Sequence, residues 1–133
     1  MISLRFFLAI IIITIAITTI QWFFIGFLFH RFQALTPATW RKESNRSYLV
    51  SAVISFFFAF LFTTLFYYWK STRGGMDLFA GLKFAGLCWL TFSVTLEIGN
   101  AVYVNYSPLF VLGKCLSSFV EYLVAISIAW AIL

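Results

Sequence analysis

The chain has 133 residues, of which 63% are hydrophobic, 22% aromatic and 10% charged. A water-soluble domain carries about 45–50% apolar and 25% charged residues, so this composition excludes a soluble fold and points to one integral membrane domain, residues 1–133. The formal net charge of +5 is spread along the chain; that suits contact with anionic lipid head groups and argues against nucleic acid as a partner, because no basic run is dense enough to follow a phosphate backbone.

The first apolar block covers residues 6–29. It exceeds the ~20 helical residues that cross a bilayer. Arg5 precedes it as in a secretory signal, but the block is longer than a signal's apolar region and no small-residue cleavage site follows, so it is expected to stay as a span. Thr14, Thr18 and Gln21 share one of its faces. Hydroxyls inside a helix bond to their own helix's carbonyls, which leaves Gln21 as the polar group to watch.

A loop over 30–47 follows, with His30, Thr36, Pro37, Trp40, Arg41, Lys42 and Arg46. Thr36 suits a cap and Pro37 a first helical position. The loop is therefore predicted to hold a short interfacial helix, with Trp40 dipped inward and Arg41 and Lys42 toward water or phosphate. His30 is a lone histidine at a span end and reads as an interfacial side chain. With no second histidine and dispersed Cys, Asp and Glu, no metal site is predicted.

The second block covers 48–69, with Ser51 and Ser55 on one face and Tyr67, Tyr68 and Trp69 marking an interface. Gly74-Gly75 in the connection 70–77 reads as a flexible turn. The third block, 78–104, carries the small pair Gly81 and Ala85, a signal for close helix approach. Helical spacing from Glu97 collects Gly86, Trp89, Leu90, Ser93, Asn100, Ala101 and Val104 on one face. After the tight turn 105–108 the fourth block runs 109–133, where spacing from Glu121 collects Lys114, Ser117, Ser118, Ala125 and Ala129. Cys88 and Cys115 lie inside apolar segments and read as apolar filling.

Continuous apolar runs of this length exclude barrel strands, since only helices or closed barrels satisfy the backbone in lipid. The predicted fold is an all-α membrane bundle of four antiparallel, up-down helices. Two faces built of small and polar groups, on the third and fourth spans, are expected to turn toward protein.

Residues equally far from the turn between spans three and four lie at equal depth. Glu97 and Lys114 stand level, within about one helical rise of ~1.5 Å, which predicts an ion pair, with Asn100 able to donate to the carboxylate. Glu121 lies deeper, about 15 residues or ~22 Å from the turn. No cation is placed to reach it, so it is expected to be protonated, bridged by water or met by another subunit. A carboxyl at that depth is costly; it reads either as a functional group or as a hydrogen bond between helices.

The stretch from Trp22 through Phe29-His30-Arg31 to Trp40, and the stretch from Gly81-Leu-Lys-Phe-Ala-Gly86 through Asn105-Tyr-Ser-Pro108 to Trp130, resemble an uncharacterised bacterial family of small four-span inner-membrane proteins. The chain departs from that pattern in lacking the Pro that interrupts the aromatic cluster after Trp22. The resemblance implies the four-span architecture and an inner-membrane location. The family has no assigned activity, so it implies no substrate and transfers no site residues.

The candidate polar site is Glu97, Asn100, Lys114 and Glu121, with Gln21, Ser93, Ser117 and Ser118 as secondary members and His30, Trp40, Arg41 and Lys42 at the interface. No glycine-rich phosphate loop and no nucleophile with a base is visible, so catalysis is not expected and no cofactor is implied. The sequence reads as an oligomeric transport or permeation unit that uses intramembrane carboxylates; the alternative is a non-transporting accessory or assembly subunit of a larger membrane complex. Expected partners are membrane lipids and either further copies or another membrane protein. The excess of basic residues after the first span places the first loop on the cytoplasmic side.

Overall fold

A computed structural model describes residues 4–42, 44–75 and 77–133. Four helices are long and apolar enough to cross a membrane: Leu4–Leu28, Asn45–Thr72, Leu78–Tyr103 and Pro108–Ile132. Their bounds follow local chemistry. The second span starts earlier than its apolar run because Ser44 and Ser47 form a capping box, each hydroxyl taking the other's backbone N–H. Asp77 caps the third span by accepting the Ala80 N–H at 2.6 Å, and Pro108 occupies the first turn of the fourth. Gly74 and Gly75 make the intervening turn at φ of 68° and 133°, which side chains with a Cβ disfavour.

The short helix of the first loop does begin at Pro37, but as a single 3-10 turn, Pro37–Thr39, and a further helical turn stands at His30–Gln33. Thr36 makes no side-chain cap. Its hydroxyl instead accepts the Trp40 indole N–H at 3.3 Å. Trp40 does turn inward, but onto protein, with ring centroids 5.3 Å from Tyr106 and 4.6 Å from Phe110. Thr39 donates to the Asn105 carbonyl at 3.1 Å. These contacts tie the first loop to the turn between spans three and four, so both lie at one membrane face. Arg41 and Lys42 are exposed there.

The fourth span is the hub, packing on the other three, while the first span packs on the second and the fourth. Small residues permit this closeness. Gly113 is so near the first span that a Cβ built on it would lie 2.3 Å from the Phe29 ring. The small pair of the third span performs as its spacing suggests, with Gly81 and Ala85 buried.

The main cluster of buried apolar side chains fills the half of the bundle nearest the chain termini, while Phe110 is buried at the other end beneath Trp40. Phe6, Ile10, Ile13 and Ile17 of the first span meet Ala59, Phe62 and Phe66 of the second, Ala85 and Cys88 of the third, and Tyr122, Ala125, Ile126 and Ala129 of the fourth. Helix association in lipid rests on such van der Waals fit, since tails are as apolar as the side chains.

Gly113→Ala is expected to destabilise the bundle by about 1–3 kcal/mol, as overpacking does, despite alanine's better helix propensity. Adding Phe29→Ala should return part of that loss. Thermal unfolding in mild detergent measures both; additive losses in the double variant would mean that Phe29 and Gly113 do not meet.

Candidate functional site

The half of the bundle nearest the first loop is hollow. A cavity of about 520 Å³ is lined by all four spans: Thr18, Gln21, Trp22, Ile25 and Gly26 of the first, Tyr48 and Ser51 of the second, Ser93 and Glu97 of the third, and Lys114, Ser117, Ser118 and Glu121 of the fourth, with His30 and Gln33 at its rim. Of the polar residues singled out in the sequence, Gln21, His30, Ser93, Glu97, Lys114, Ser117, Ser118 and Glu121 are thus brought together. Asn100 is not among the lining residues; it is half-buried one turn beyond Glu97, and its backbone carbonyl takes the Val104 N–H. Trp40, Arg41 and Lys42 lie outside the cavity.

Glu121 stands where the hollow half meets the packed half and is 7% exposed. Its two carboxyl oxygens are held by neutral donors from two helices. Ser117, one turn earlier, donates to Oε1 at 2.8 Å, and Gln21 of the first span donates through Nε2 to Oε2 at 3.1 Å. The Gln21 carbonyl in turn accepts from Ser55 of the second span at 3.4 Å. As expected from depth, no cation among the described residues pairs with Glu121; the partners it has are Gln21 and Ser117, of which Gln21 was not foreseen as a donor to it. A carboxylate offers about four acceptor positions, of which the two described bonds take two, and Glu121 borders the cavity.

Glu97 and Lys114 form the predicted ion pair, Oε2 to Nζ at 2.6 Å. The pair is partly solvated, at 14% and 29% side-chain exposure, and Lys114 also lies 5.5 Å from the Tyr106 ring centroid. Glu97 Oε2 takes no further hydrogen bond among the described residues. Thr14 and Thr18 bond to carbonyls of their own helix, as expected of mid-helix hydroxyls. Trp89 crosses from the third span to the fourth, its indole N–H shared between the Cys115 carbonyl at 3.0 Å and the Ser118 hydroxyl at 3.2 Å.

Two π-helical segments border the cavity, Trp22–Leu28 in the first span and Trp89–Val94 in the third. Wider turns of this kind recur at functional sites, and the apolar sequence gives no cue to them. The second accounts for a correction. The face drawn from Glu97 by α-helical spacing included Gly86 and Leu90, but the extra residue per turn rotates the helix before it. Gly81, Ala85 and Cys88 are the buried positions, whereas Leu90 is exposed and the position of a Cβ on Gly86 is open. Ala101, beyond the π segment in the same α-helical stretch as Glu97, is exposed for a different reason, since the helix there buries no residue. Trp22, Gln33 and Tyr48 are lining residues that the sequence did not single out; aromatic side chains at span ends read as interfacial.

Among the described residues no group of three His, Cys, Asp or Glu side chains could hold a metal ion. Cys88 and Cys115 are free. Comparison with known protein families, with curated proteins and with solved structures finds no match to this chain.

Replacing either Glu97 or Lys114 by leucine should destabilise the protein, by less than the about 3–5 kcal/mol of a fully buried pair, because both groups retain some solvent. The double leucine variant should recover most of the loss. Chemical unfolding of all four proteins gives the coupling, and a double variant as unstable as the summed singles would show that the two charges act independently.

Water access to the cavity is measurable in a background with Cys88 and Cys115 replaced. Cysteines at Ser51, Ser93 and Ser118 are expected to react with a membrane-impermeant thiol reagent added on the first-loop side. A cysteine at Ala125, within the packed half, should stay unreactive; equal reactivity at all four positions would contradict a hollow confined to one half.

Proposed function

We propose that this chain is an oligomeric transport or permeation unit, in which the cavity carries water and small cations from the first-loop face to the Glu121 carboxyl. The observation that supports this reading most is the hollow itself. Ionisable side chains inside a membrane are costly and characteristically face water-filled cavities or pathways, and here Glu97, Lys114 and Glu121 all border one cavity. Glu121 is the group on which a cation or proton would dwell, with Gln21 and Ser117 fixing its orientation. Glu97 and Lys114, nearer the rim, set the charge met on the way in.

Within one copy the path stops at the packed half, where Ile13, Ile17, Tyr122 and Ala125 are buried. A neighbouring copy would supply the remainder. The outward face of the third span suits that contact along its length: Phe79 and Leu87 are exposed level with the packed half, and Leu96, Ile98, Val102 and Tyr103 nearer the first loop. The same exposure supports a second reading, an accessory subunit that docks this face on a larger membrane complex. The resemblance to bacterial four-span proteins favours an inner-membrane location, and the basic residues His30 to Arg46 favour a cytoplasmic first loop.

Vesicles reconstituted with the wild-type protein should pass protons or monovalent cations. Glu121→Gln keeps the shape and the bonds to Gln21 and Ser117 within reach, so it should abolish the flux while the protein stays folded and assembled. Wild-type vesicles without flux, combined with copurification of a larger complex, would favour the accessory reading.

A further inference from the structure

We infer that the opening between the second and third spans is a seat for one phospholipid of the first-loop leaflet, its anionic head beside Lys114 and one acyl chain in the groove below. The second and third spans do not pack along their length. They meet near the opposite face, where Phe84 stacks on Trp69 at 4.3 Å and lies 6.0 Å from Phe62. Above that contact a second hollow of about 270 Å³ lies between them, apolar throughout, bordered by Phe58, Leu61 and Leu65 on one side and Phe92 on the other, with Tyr122 behind.

The two hollows are neighbours. Phe92 lines the apolar one and Ser93 the polar one; Tyr122 lines the apolar one and Glu121 the polar one. On the second span, Ser51 stands two turns before Phe58. A molecule that lies across the mouths of both must carry a polar head toward the first-loop face and an apolar chain toward the membrane centre, which is the orientation of a lipid in that leaflet. The sign of the head follows from charge. In sequence the first loop carries His30, Arg31, Arg41, Lys42 and Arg46 against one acid, Glu43. The Lys114 ammonium has three protons, and the described ion pair with Glu97 engages it on one side. Arg41 and Lys42 are exposed at the same membrane face, outside the cavity, so the phosphate would sit at the mouth between them and Lys114, clear of Glu121, and the lipid would wall off the polar cavity from the surrounding tails.

This inference needs the cavity but not permeation, so it is tested apart from flux. The wild-type protein is placed in phosphatidylcholine nanodiscs containing a small fraction of phosphatidylglycerol with a diazirine in one acyl chain. After illumination, the labelled peptides are read by mass spectrometry. Label should concentrate on the stretches around Leu61 and Phe92, and unlabelled phosphatidylglycerol should compete about fivefold better than phosphatidylcholine, the size of one basic contact near a membrane surface. Leu65→Trp fills the groove from an exposed position and should remove most of the label. Label spread evenly over the outward residues of all four spans, or equal competition by phosphatidylcholine, would overturn the assignment, whatever the vesicles pass.

Discussion

Hydrocarbon offers helices no gain for hiding apolar side chains from one another, so a membrane bundle depends on how closely backbones and side chains fit. In this chain that fit is concentrated on the fourth span. Gly113 accepts the Phe29 ring, Ser117 is small enough to lie buried beside Glu121, and Ala125 and Ala129 are wholly enclosed. The first and third spans both take their positions from that helix. Were this face built of leucines, the Gln21 amide could not reach Glu121, and the site would lose the bond that ties its two principal helices together.

The bundle is divided by function of its filling. The half near the termini is packed with Phe, Ile and Ala and carries the stability; the half near the first loop is held apart and lined with amide, hydroxyl, carboxyl and ammonium groups. The π-helical segments lie in the hollow half or at its edge, where a widened turn changes which side chains face inward. The first loop keeps that half from collapsing or splaying, since Trp40 against Tyr106 and Phe110, and Thr39 against Asn105, brace the ends of spans three and four.

Most of the fold was legible from residue order, because the apolar runs and the short turns leave a membrane chain few arrangements. The Glu97–Lys114 pair was legible for the same reason: a tight turn fixes depth on both sides of it by counting. Gln21 was visible as a polar group without an evident local partner, but its bond to Glu121 lies 100 positions away in sequence and depends on the register between the first and fourth spans, which no turn sets. Gly86 and Leu90 were misread as inward because Trp89–Val94 departs from α-helical spacing. Trp40 was read against lipid, since nothing local announces that Tyr106 and Phe110 lie under it. Single-helix arithmetic thus held where a hairpin constrained it and failed where distant helices set the geometry.

The unequal filling of the two halves has an electrical consequence. Water standing in the hollow would carry the potential of one bulk phase inward to the depth of Glu121, so a voltage across the membrane would fall mainly over the dry half between Glu121 and the termini. The insulating layer would then be about half the usual thickness and the local field correspondingly steeper. A charge leaving Glu121 across the layer of Ile13, Ile17 and Ala125 would traverse nearly the whole drop, worth about 2.3 kcal/mol per elementary charge at 100 mV, while the same charge moving within the hollow would feel almost none of it.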